Sequence, residues 1–135
     1  LWWRPNDASN SIGNLVLHLA GNVRQWVVAG IGGELDHRKR DLEFSQGGGW
    51  SGQALAAHLE STLEEVEGVL STLEPSRLRD TLVIQGMTVS VLDALYHVVE
   101  HFSTHTGQII YLAKLRTGED LGFWEVKDGR ATPRW

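Results

Sequence analysis

The sequence predicts an all-α domain built as a helical bundle. Three long stretches repeat apolar residues at helical spacing, cysteine is absent, and hydrophobic residues make up 41% of the 135 residues. The spacing gives the helices. The lack of cysteine removes disulfides, cysteine zinc sites and thiol nucleophiles together. The apolar content suits one domain, residues 1–135, with a core of its own. No apolar run approaches the ~20 residues that cross a bilayer, and no leader resembles a secretory signal. A cytoplasmic protein without a membrane partner is expected. Twelve basic residues against seventeen acidic ones leave a net charge of -5. Phosphate neutralisation needs a basic surface, so nucleic acid is not an expected partner.

The elements follow in chain order. Residues 6–13 are rich in Asn, Ser and Gly and lead into a first helix that Ser9 or Ser11 can cap. Ile12, Leu15, Val16, Leu19, Val23, Trp26 and Val27 recur at helical spacing to about Ala29, before Gly30, Gly32 and Gly33. Residues 34–50 read as a polar loop holding a charge run and a glycine triplet. A second helix starts at Ser51, buries Leu55, Leu59, Leu63, Val66, Leu70 and Leu73, and stops before Pro75. Residues 81–89 are β-branched and broken by Gly86, as an extended turn or small hairpin would be. Ser90 and Asp93 form a capping box for the last helix, which runs to about Arg116 and ends at Gly118. It is apolar around most of its circumference and so is expected to lie centrally. Residues 119–135 show no periodicity, although Phe123 and Trp124 are expected to dock.

Chemistry concentrates in the last helix. His97, His101 and His105 stand at four-residue intervals, half of the six histidines in the chain. A four-residue step on a helix turns only ~40°, so the three stack on one face. Two such imidazoles can hold one divalent ion, with zinc, nickel and iron as candidates. The competing reading has the histidines bonded to one another, to Glu100 or to backbone. His18, between Asn14 and Asn22 at one turn either side, is a possible third ligand from another helix. Three protein ligands leave positions open, as a catalytic metal requires. Trp26, two turns after His18, can wall a pocket beside it. His37 and His58 read as ordinary solvent-facing residues. The H-x-x-E-H pattern of His97 to His101 lacks the acidic third ligand of the proteases that use it.

The segment His101-Phe102-Ser103-Thr104-His105-Thr106-Gly107-Gln108-Ile109 resembles the H-x-x-x-H-x-G-Q-I signature of DinB/YfiT-like proteins. Trp3-Arg4-Pro5, Ser11-Ile12-Gly13 and His18 resemble the segment carrying that family's first metal histidine. The resemblance implies a four-helix bundle with a divalent metal held by His18, His101 and His105. By this mapping His97 lies outside the triad, in the shell or pocket around it with Glu100, and Gln108, Trp26 and Asn22 are further candidates for that shell or pocket. Because the family has a long helix ahead of the Trp-Arg-Pro segment, that helix is expected before Leu1, whose surroundings are unusually apolar for a terminus.

Characterised relatives include transferases and isomerases that use mycothiol or bacillithiol, with the metal activating the thiol. The expected function is therefore metal-dependent transfer of a low-molecular-weight thiol to a small electrophilic substrate. A metal-dependent hydrolase, or a non-catalytic metal-binding or interaction module, are the alternatives. Dimerisation is common in the family, so a homodimer is expected.

Overall fold

Local chemistry starts each helix where the sequence places it. Ser11 and Asn14 form a reciprocal capping box at the head of α1, Ile12–Val23. Ser51 caps α3, Gly52–Ser71. Ser90 and Asp93 form a second capping box at the head of α4, Val91–Thr117, which ends on Gly118 in the left-handed region at φ 71°. These elements belong to a computed structural model that describes residues 1–134.

Two differences concern the first helix and the loop after it. The α1 axis continues as a π-helical segment, Arg24–Ile31, whose widened turns bury Trp26, Val27, Val28 and Ile31 together. The polar loop contains a short helix, α2, Arg40–Ser45, with Glu43 buried.

The all-α four-helix bundle is corrected. Four α-helices are present among the described residues, but α2 has only six residues and two antiparallel hairpins make the fold mixed. After a 3-10 turn, Pro75–Arg79, strand β1, Thr81–Ile84, pairs with β2, Met87–Ser90. Gln85 at φ 53° and Gly86 at φ 77° make the turn between them. Strand β3, Trp124–Lys127, pairs with β4, Arg130–Pro133, around Asp128 at φ 51° and Gly129 at φ 74°. The physical reason is the same twice. A short β-branched or alternating run flanks two residues that accept positive φ, and a two-residue turn then costs little.

The core lies between the π-helical segment, α3, α4 and the first hairpin. Val23, Trp26, Val27, Val28, Ile31, Val66, Ile84, Val91 and Ala94 form one buried cluster. Gly30 lets Ile84 press on the π-helical backbone, because a Cβ there would strike the Ile84 side chain. The inward stripe of α3 runs through Leu55, Thr62 and Val66, while Leu63 and Leu70 stay exposed. Nor is α4 central: Tyr96 is 70%, Val99 67% and Tyr111 68% exposed. Phe123 and Trp124 stand at the surface, 40% and 53% exposed, rather than in the core. Among the described residues, no helix is long and apolar enough to cross a membrane.

Candidate metal centre

Helices α1 and α4 pack with their polar stripes facing. On α1 and its π-helical continuation the stripe is His18, Asn22 and Trp26, four residues apart; on α4 it is His105, His101 and His97, met in that order. His101 Nε2 therefore lies 2.9 Å from His18 Nε2. The His105 ring stands 5.1 Å from the His18 ring and 4.4 Å from that of His101. One nitrogen from each of the three histidines lies within 4.8 Å of the others. One turn along, Asn22 Nδ2 lies 3.3 Å from His97 Nε2, and the His97 ring stacks on Trp26 at 3.9 Å.

The outer nitrogens decide what the inner ones can do. His18 Nδ1 is 2.8 Å from Glu43 Oε2, and both side chains are buried. Arg38 fastens that carboxylate from the other side, with Nε 2.7 Å from Oε1 and Nη2 2.8 Å from Oε2. His18 Nδ1 also lies 3.0 Å from Arg38 Nη2, but that group already donates to Glu43 Oε2; the shorter carboxylate contact takes a proton from Nδ1, and Nε2 then keeps a lone pair. His105 repeats the device, donating from Nδ1 to Gln108 Oε1 at 2.6 Å. Burial, then the neighbouring His105, His18, His97 and Arg38, push the His101 imidazole down to a pKa of about 4, so it is neutral near pH 7.

Such a donor set fits a divalent cation. Two imidazole lone pairs at 2.9 Å repel unless a proton or a cation stands between them. Nitrogen ligands sit ~2.0–2.1 Å from zinc, so adjacent ones lie roughly 3–3.4 Å apart. A carboxylate behind one ligating histidine and an amide oxygen behind another are the partners that fix ring orientation in metal sites.

Residues 1–130 match DUF1572, a family described as proteins of unknown function. The chain belongs to that family. The family match spans every residue of the cluster, from Asn14 to Gln108. No curated protein matches the sequence.

Within the DUF1572 chain, Glu43 reaches His18 through three contacts of its surroundings. Asn14, fully buried, donates from Nδ2 to the carbonyls of Glu43 at 2.8 Å and Gln46 at 2.7 Å, so it ties α2 to α1. Arg4 bonds both Asn14 Oδ1, at 3.0 Å, and the Phe44 carbonyl, at 2.7 Å. Gly21 supplies the space: a Cβ on it would overlap Glu43 Oε1. Burial raises the Glu43 pKa, but hydrogen bonds from Arg38 and His18 outweigh it and hold the carboxyl below its usual range.

The expected ligands His18, His101 and His105 thus come together, with Gln108 behind His105. Asn22, His97 and Trp26 form an adjoining group. Glu100 is exposed, and it reaches this group through its charge, which opposes the downward shift of the His97 pKa caused by burial and Arg38. Sequence reasoning passed over Glu43 and Arg38, which it assigned to a polar loop. The available signal was weak: Glu43 stands between Leu42 and Phe44 in a run otherwise dominated by charge. A cavity of about 480 Å3 opens behind Arg38 and Glu43, lined by neither His101 nor His105.

Proposed function

We propose that the chain is a metal-dependent enzyme of the DinB/YfiT-like kind, using His18, His101 and His105 to hold a divalent ion such as zinc, nickel or iron. The reaction proposed is transfer of a low-molecular-weight thiol to a small electrophile. One observation carries the reading: the Nδ1 atoms of His18 and His105 are each tied to an acceptor, which leaves both Nε2 atoms with lone pairs in a group of three histidines whose ligand nitrogens lie within 4.8 Å of one another. A bound divalent ion supplies Lewis acidity that lowers the pKa of a thiol or water toward neutrality.

The chain's own residues do the rest. Glu43 and Arg38 hold the His18 ring against rotation. Gln108 holds the His105 ring. His97 stays outside the ligand set because Asn22 and Trp26 engage it, which favours an open, catalytic site over a closed structural one. In the transfer, the thiol sulfur forms a bond to the electrophilic carbon, the leaving group departs with the bonding pair, and the thiol proton passes to solvent.

The test uses zinc-loaded protein with cysteine as thiol and monochlorobimane as electrophile. Fluorescence from the S-linked product should rise faster than without protein, and His101→Ala should abolish the gain. Loaded protein that accelerates neither this transfer nor ester hydrolysis would leave the non-catalytic metal module as the reading. A homodimer is proposed as the assembly, with the exposed Tyr96, Val99 and Tyr111 on α4 as the surface to be covered. Sedimentation equilibrium should give twice the chain mass; a monomer at micromolar concentration would contradict this.

A further inference from the structure

The cavity behind the histidine cluster is a separate feature, and the proposed chemistry does not use it. It measures about 480 Å3, within the range that holds a small organic molecule. Leu17, Ala20, Leu42 and Trp50 give it apolar walls, and the Arg38–Glu43 pair forms its boundary with His18. We infer that this cavity binds a small amphipathic anion, with an apolar body against Leu17, Leu42 and Trp50 and an acidic head at Lys39, His37 and His58.

The charge argument turns on which groups are already engaged. The cavity's two carboxylates are both engaged by the protein's own donors. Asp36 accepts from the Arg38 backbone at 2.9 Å and from Gln25 at 2.6 Å, and Glu43 accepts from Arg38 and His18. Arg24 is paired with Glu34 and Glu65, and Arg38 with Glu43. Lys39, His37 and His58 also line the cavity, and all three are exposed. Their side-chain nitrogens make no hydrogen bond or ion pair among the described residues, although the His58 ring lies 5.4 Å from that of Trp50 and the charge of His37 acts on Asp36. Arg24, Arg38 and Lys39 give the lining three cations against two carboxylates, Asp36 and Glu43, so one positive charge is in surplus over an apolar floor. A cationic guest would meet that surplus of positive charge, and a purely hydrophilic one would leave the apolar faces of Leu17, Leu42 and Trp50 uncovered. The anion discriminates because its head alone can use the rim.

The experiment is calorimetric titration of the metal-free full chain with phenyl phosphate and benzoate, and with benzylamine as the cationic counterpart. One-to-one binding of at least one anion is expected, with benzylamine at least tenfold weaker. Lys39→Glu, an exposed change that leaves the core untouched, should weaken the anion at least tenfold. Trp50→Ala should weaken it while leaving any binding of inorganic phosphate unchanged. The inference fails if neither anion binds saturably, if Lys39→Glu binds as wild type does, or if benzylamine binds as well. It also fails if binding needs added zinc and vanishes in His101→Ala, since the anion would then sit at the histidines. Absence of metal binding would leave this result standing, so the two readings fail separately.

Discussion

Glu43 is the residue on which the cluster turns, and its surroundings set what its loss should do. Glu43→Gln keeps an acceptor for His18 but removes the charge, and losses of this kind cost roughly 10–100-fold in metal affinity. Competition against a chromophoric zinc chelator would read that drop, and unchanged affinity would show that Glu43 does not tune the site. Glu43→Ala does more. The Arg38 side chain is 4% exposed and would be left as a buried, unpaired charge, at a cost of about 3–5 kcal/mol in urea denaturation. Gly21→Ala should act through the same carboxylate. It gains ~1 kcal/mol of helix propensity, yet it pushes Glu43 off His18, so zinc affinity should fall as in Glu43→Gln, and the double variant should be no weaker than either single. At this scale much was legible. Of the three histidines that could hold a metal, His101 and His105 were marked by their spacing and by the Gly107-Gln108 ending, and His18 by the segment around it. Glu43 was not, because its role depends on a tertiary contact 25 positions away, and nothing local distinguishes it from a solvated acid.

The helices were readable because their ends carry chemistry. Ser51, Ser90, Asp93 and Gly118 each mark a boundary that the backbone respects. Ser90→Ala should cost α4 about 1 kcal/mol of stability, read as a shift in the urea midpoint with zinc affinity nearly unchanged. A fall in zinc affinity would mean that the start of α4 places His97 to His105 more tightly than packing alone. The hairpins were half legible. Gly86 and the β-branched residues around it announce β1 and β2. The second hairpin has an Asp128-Gly129 turn, a strong hairpin signal, but its flanking strands are exposed and carry too little alternation to stand out. The π-helical widening after Val23 leaves no trace in an apolar pattern that fits an ordinary helix equally well. The exposure of α4 was hidden for a different reason: apolar residues around a helix do not reveal which of them find a neighbour.

For the whole molecule, acid is the most informative perturbation. Burial and three neighbouring histidines, with Arg38, lower His101 to about 4 in the metal-free fold, against roughly 6.5 in an unfolded chain. Between those values the unfolded state binds more protons, so stability rises with pH across that window and is lost on acidification through it. Glu43, held below its usual range, adds a second loss at lower pH as it is protonated. Urea midpoints of the metal-free protein should therefore fall from about pH 6.5 toward pH 4, and His101→Gln should flatten the upper part of that fall. A wild-type profile already flat there would refute the neutral, desolvated His101. The central claim is that three imidazoles, two of them oriented by Glu43 and Gln108, hold one divalent ion. Elemental analysis of purified, metal-replete protein at neutral pH tests it most directly. The account expects one divalent ion per chain, reduced to trace levels in both His18→Ala and His101→Ala; wild-type protein without stoichiometric metal, or variants that keep it, would contradict it.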